Sequence, residues 1–134
     1  MSNTILRQLV SGDEANQQLL EGINKSVDVV SSTMGYRGQN VLFETIGGLP
    51  HITADGHDVL QELFWDLPME HIASEILKEA TKKTFEIVGD GTTLTCVLVQ
   101  AFFKNSLEEL KKGTSSIEIK QNIEIIFLFQ KCEI

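Results

Sequence analysis

Apolar residues recur every three or four positions along most of the chain, and the breaks in that rhythm divide it into short segments. Leu19, Ile23, Val27, Val30 and Met34 keep the spacing and predict a helix from about Glu14 to about Met34, ended by Gly35. Tyr36 and Arg37 occupy a short loop before Gly38. From Asn40 to Glu44 the period drops to two, with Val41 and Phe43 alternating against Asn40 and Leu42, and this stretch reads as a strand. Gly47-Gly48 makes a turn and His51-Ile52-Thr53 a second short strand, so a small hairpin is expected. Asp55-Gly56 then turns the chain into a short helix carrying Val59, Leu60 and Leu63.

Pro68 suits the first position of a helix, where its missing N–H is no loss. From there Ile72, Ala73, Ile76, Leu77, Ala80, Thr84 and Phe85 form an apolar stripe to about Val88. A further helix carries Leu94, Val97, Leu98, Ala101, Phe102, Leu107 and Leu110 and stops before Gly113. Ser115 with Glu118 three residues later is a capping box that opens another. After Glu124 the run over residues 125–129 is apolar on every side without a helical period, and residues 125–134 read as a divergent apolar tail. A last helix that stops there has little to pack against, which reads as a domain cut short. The expected fold class is mainly α, a helical bundle with a small β-hairpin.

A length of 134 residues allows one domain, and 42% hydrophobic content places it among globular chains. The net charge of −8 argues against nucleic acid and against anionic membrane surfaces as partners. It suits a protein that holds phosphate through backbone N–H groups and a metal instead of a Lys/Arg cluster. Cys96 falls on an apolar stripe and reads as a small core residue; with Cys132 near the terminus, no disulfide framework is expected. The first residues lack a signal pattern and no apolar run is long enough to span a bilayer, so a cytoplasmic location is expected. His51, His57 and His71 lack partners at metal-ligand spacing and read as surface or half-buried polar residues. No P-loop and no EF-hand loop is present.

The chemistry concentrates in Val88-Gly89-Asp90-Gly91-Thr92-Thr93-Leu94, where one amphipathic pattern stops and the next begins. Gly89 can close the first helix in the left-handed conformation, and Asp90 can cap the second. The N–H groups of Gly91, Thr92 and Thr93 would then face outward at the positive end of a helix dipole, a place for an anion. Mg²⁺ between Asp90 and a polyphosphate would turn the arrangement into a nucleotide site. Asp90 as an ordinary helix cap stands beside that reading. Two more loops share the pattern of glycines beside a strong helix: Thr33-Met34-Gly35-Tyr36-Arg37-Gly38 and Thr53-Ala54-Asp55-Gly56. Each alone is turn chemistry, but together they could converge on one pocket. The first would offer backbone N–H groups to phosphate, Asp90 would bind Mg²⁺, and Asp55 would stand near the γ-phosphate to help place water.

The order and spacing of these loops resemble the bacterial-type (group I) chaperonins strongly, from about Ser11 to Glu124. The likeness is carried by Ser26-Val27 through Thr33-Met34-Gly35, Gly38-Gln39-Asn40-Val41, Ile52-Thr53-Ala54-Asp55-Gly56, and Gly89-Asp90-Gly91-Thr92-Thr93 followed by Val97-Leu98-Val99-Gln100-Ala101. It implies that residues 1–124 are the N-terminal portion of the equatorial ATP-binding domain, making the fold a partial equatorial-domain helical bundle. The intermediate and apical domains, and the returning half of the ATPase domain, have no counterpart in these residues.

By resemblance, Thr33, Met34, Gly35 and Tyr36 contact the nucleotide and Asp90 ligates Mg²⁺. Gly91, Thr92, Thr93 and Leu94 form the phosphate-binding helix start, and Asp55 is the acidic residue near the hydrolytic centre. The hairpin from Val41 to Ile52 matches a part that adds strands across a subunit boundary, and Thr4 to Leu9 a segment near the inner base of the ring. The implied cofactors are ATP and Mg²⁺. The implied partners are other chaperonin subunits in a ring, unfolded protein clients and a co-chaperonin lid. The family usually has Pro where this chain has Tyr36, Lys where it has Ala54 and Thr where it has Leu94. Losing a cation near phosphate removes a contact worth ~1.5–3 kcal/mol, which lowers nucleotide affinity about ten-fold or more. The expected function is that of a chaperonin subunit that binds Mg-ATP in an ATP-dependent folding machine. Whether this chain hydrolyses ATP stays open, because half of the site has no counterpart. The alternative is a truncated interaction module that docks into full-length rings without ATPase or folding activity of its own.

Overall fold

The computed structural model describes residues 10–44 and 48–132, with side chains described as far as Ile126. The expectations for Thr4–Leu9, for the Gly47 position of the hairpin turn and for the last two residues of the apolar tail lie outside the described residues. The chain divides into two compact units, Met1–Gln100 and Ala101–Ile134.

In the first unit, α1 spans Gly12–Ser31, with Asp13 and Glu14 in its first turn where the helix dipole favours negative charge. It ends three residues before the expected Met34. The Ser32 and Thr33 hydroxyls bond to the carbonyls of Val29 and Val30 at 2.6 and 2.8 Å, and the N–H groups of Ser32, Thr33 and Met34 fall back on carbonyls three residues earlier. Side-chain competition for the last carbonyls tightens the turn and closes the helix. Strands β1 (Val41–Phe43) and β2 (His51–Thr53) pair antiparallel with Leu42 opposite Ile52, so the first is one residue shorter at each end than expected. Asp55 caps α2 (Gly56–Glu62) through its Oδ1, which accepts the His57 N–H at 2.8 Å. Helix α3 runs Pro68–Val88 with proline in its first turn, and α4 runs Thr92–Lys111.

Ile23, Val27 and Val30 of α1, Val59 and Leu60 of α2, Ala73 and Leu77 of α3 and Cys96 of α4 form the core, all at most 3% exposed. The apolar stripe expected on α3 is corrected in part: Ile72, Ile76 and Phe85 are more than 40% exposed, while Glu70, Ala73, Ser74, Leu77 and Thr81 turn inward. The reason lies on α1. A Cβ on Gly22 would sit 2.7 Å from Ala73 Cβ and 2.8 Å from Glu70 Cα, so at that point α1 offers no side chain and α3 approaches through Ala73 and the backbone of Glu70. The hydroxyls drawn in are satisfied locally, Ser74 to His71 O at 2.7 Å and Thr81 to Leu77 O at 3.0 Å. Beside the crossing, Lys25 pairs with Glu70, and Trp65 Nε1 donates to Ser26 Oγ at 2.9 Å.

In the second unit, Gly113 (φ +96°) closes α4, with the Thr114 N–H returning to Glu109 O at 3.1 Å. Ser115 caps α5 (Ser116–Cys132), its Oγ accepting the Glu118 N–H at 3.2 Å, as the capping box predicts. The backbone stays helical past Glu124 to Cys132, although residues 125–129 have no helical period. Helix hydrogen bonds are local, and no glycine or proline interrupts that run. No helix among the described residues is long and apolar enough to cross a membrane.

Candidate functional site

The three glycine loops meet at Gly56. A Cβ there would overlap Thr93 Oγ1 outright and come within 3.2 Å of Thr33 Oγ1 and of Val30 Cγ1. The end of α1, the start of α2 and the start of α4 therefore touch at a position that only glycine can fill.

The first loop leaves α1 at Thr33 and turns at Gly35 (φ +77°), with the Gly38 N–H on Gly35 O at 3.0 Å and the Gln39 N–H on Ser32 O at 2.8 Å. Gly38 runs so close to the Thr33 carbonyl that a side chain would strike it. Met34 is half exposed and Tyr36 is 93% exposed, the Arg37 guanidinium lying 5.3 Å from its ring centre. The second loop is knitted by Thr53, whose Oγ1 accepts the Asp55 N–H at 3.0 Å and lies 3.3 Å from Asp58 Oδ2. Asp55 is exposed.

In the third loop Gly89 adopts φ +75° and returns its N–H to Phe85 O at 2.8 Å, the left-handed closure that the sequence predicts. Asp90 differs from its expected role as helix cap. Its Oδ1 accepts the neighbouring Gly91 N–H at 2.6 Å, and the first intrahelical bond of α4, from Thr95 N–H at 2.9 Å, goes to Gly91 O. Gly91 (φ +82°) is therefore the cap position, because a second left-handed glycine carries the chain one residue further before the helix begins. The same bond occupies the Gly91 N–H, leaving the first-turn N–H groups of Thr92, Thr93 and Leu94 as the donors that a helix start leaves without intrahelical partners. Thr92 is buried, Leu94 half exposed and Asp90 exposed. Thr95 Oγ1 lies 3.0 Å from Gly91 O and 3.2 Å from Thr84 Oγ1, tying the new helix to the end of α3.

The donor set is two exposed carboxylates, threonine hydroxyls and helix-start amides. Among the described residues no group of three or more His, Cys, Asp or Glu side chains could hold a metal by itself. One or two carboxylates completed by phosphate oxygens is how Mg²⁺ is usually held, so the residues fit a magnesium shared with a polyphosphate. Sequence reasoning missed two contacts. The Asp-Gly pair looked like a turn and gave no sign of the packing at Gly56. His57 and Phe85 stack face to face, their centres 4.1 Å apart and their planes 6° from parallel, with no spacing to announce it.

The sequence profile of the TCP-1/cpn60 chaperonin family matches residues 27–127, which include all three loops. The chain belongs to that chaperonin family. The chaperonin gp146 of bacteriophage EL 2 (Pseudomonas aeruginosa), crystallised in two forms in the presence of ATP-BeFx, has the same fold, with TM-scores of 0.69 and 0.68. Identity is 29% in both comparisons, over 86% of this chain and 20% of the phage chaperonin. This chain thus spans about a fifth of the length of that chaperonin.

Proposed function

We propose that this chaperonin chain corresponds to the N-terminal portion of an equatorial domain of the bacterial (group I) type, and that its three loops bind Mg-ATP. The observation that carries the reading is the meeting of Thr33, Gly56 and Thr93, because a triphosphate reached from three loops needs them on one spot. The phage chaperonin with the same fold was crystallised with ATP-BeFx, which supports the same ligand here.

In this reading Asp90 holds Mg²⁺, which neutralises phosphate charge when bound. The Thr92, Thr93 and Leu94 amides and the threonine hydroxyls receive phosphate oxygens at the positive end of α4. Gly91 contributes by having no side chain, since its N–H is committed to Asp90. Thr33, Met34, Gly35 and Tyr36 offer backbone to the nucleotide, and Asp55 stands where it can orient water. Other chaperonin subunits are the ring partners, met through the hairpin whose Leu42 and Ile52 are both exposed. Unfolded proteins and a co-chaperonin lid are partners of that ring.

Titration calorimetry of the whole chain with Mg-ATP tests the site. The wild type gives measurable heat, and Asp90→Ala lowers affinity about ten-fold or more, the size of a lost charge-assisted contact. Equal binding by both proteins, or none by the wild type, overturns the reading.

A further inference from the structure

His57 and Phe85 join the two loops that carry the acidic residues. His57 follows Asp55 by two positions, and its N–H is the one that Asp55 Oδ1 accepts at 2.8 Å. Phe85 lies on the last turn of α3, and its carbonyl accepts the Gly89 N–H that closes the bend before Asp90. Between them the imidazole lies flat on the phenyl ring at 4.1 Å. One ring nitrogen, His57 Nδ1, is buried without a hydrogen-bond partner, so it does not hold the ring, and the face of the imidazole makes the contact with Phe85.

A buried, unbonded ring nitrogen is unfavourable, and the stack offsets part of that cost. The contact is also stiff. Imidazole and phenyl have few torsions, and Asp55 is bonded to the His57 backbone while Gly89 is bonded to that of Phe85. Shifting the backbone of the Asp55 loop against that of the Asp90 bend would slide one ring over the other. We propose that the His57–Phe85 stack is a strut that holds the Asp55 loop and the Asp90 bend at one separation, making His57 a positioning residue for the nucleotide site. The proposal rests on the Mg-ATP reading of that site.

Two measurements on the full chain separate the strut from the site. In hydrogen exchange, His57→Ala speeds exchange both at residues 55–58 and at residues 89–92, Phe85→Ala does the same, and His57→Phe, which keeps a flat ring without the nitrogen, restores protection. In calorimetry, His57→Ala weakens binding of Mg-ATP about two- to ten-fold, the range of a lost ring contact, and His57→Phe recovers it. Binding of ATP in excess EDTA does not change, because the strut acts through the placement of Asp90, which in this reading holds the metal. Exchange confined to residues 55–58, or an equal loss of ATP binding with and without magnesium, overturns the strut. If the wild type binds no Mg-ATP, the site reading fails while the exchange pattern still decides the strut. Should His57→Ala unfold the chain, His57→Leu keeps the volume without the flat ring and is read in the same way.

Discussion

Residues 12–96 and residues 101–126 are both mainly helical and both rich in apolar side chains, yet every buried side chain described lies in the first stretch. In α1, Ile23, Val27 and Val30 sit on one stripe, and two neighbouring helices cover it. Among the described side chains of α5, Ile117, Ile125 and Ile126 are all at least 46% exposed, while Ile119 and Ile123 are half-buried. Among the described residues of the second unit lies an open groove of about 320 Å³, lined by Phe102, Glu109, Ile119, Ile123 and Ile126 among others. Apolar content alone does not make a core. A stripe has to be narrow enough for its neighbours to cover, and a third element has to close it.

The sharpest way to break this comparison is to remove one side chain from each unit. Leu77→Ala should cost about 2–5 kcal/mol, as for a fully buried leucine, whereas Ile123→Ala on the half-buried face of α5 should cost under about 1 kcal/mol. Urea unfolding followed by the fluorescence of Trp65 and by circular dichroism reads both, and equal costs would erase the distinction. Gly56→Ala should come next, at about 1–3 kcal/mol, because a methyl is forced onto Thr93 where the loops meet. Its stability loss should appear together with weaker Mg-ATP binding in calorimetry.

The smallest effect sharpens the comparison through pH. Burial pushes the Cys96 thiol from 9.0 up to about 11. Well below pH 9 the thiol is protonated in both folded and unfolded chains, so pH has no hold on it. Between pH 9 and pH 11 the unfolded chain releases the proton while the folded one keeps it. Stability then falls as pH rises, by at most about 1.4 kcal/mol per pH unit. Cys96→Ala should flatten that slope in unfolding curves taken across the window; an unchanged slope would mean that α4 does not seal the thiol.

What the sequence disclosed and what it hid divide along the same line of local against distant. The left-handed closure at Gly89, the Ser115 cap and proline in the first turn of α3 depend on neighbours within four residues, and all three were legible. The Asp90 cap was misread because the glycines on either side of it can each turn the chain, and only the fold shows that Gly91 turns it last. On α3 the period located a broad stripe without saying which flank faces in. The flank that faces in carries Ala73, which packs on Gly22 about fifty residues earlier, while Ile72 and Ile76 stay exposed. Residues of all three loops were picked out as candidates, but their contact at Gly56 and the ring pair beside it join positions far apart in the chain.

That bare crossing at Gly22 has a consequence for how this protein can diverge. Glycine inside a helix costs about 0.5–1 kcal/mol relative to alanine, so codon 22 would gain from drifting if only the helix mattered. Yet every replacement adds at least a methyl, and the space it would need is taken by Ala73 and by the backbone of Glu70. Inheritance at that codon is therefore held by its neighbour across the interface, and it can change only if the facing helix retreats in step.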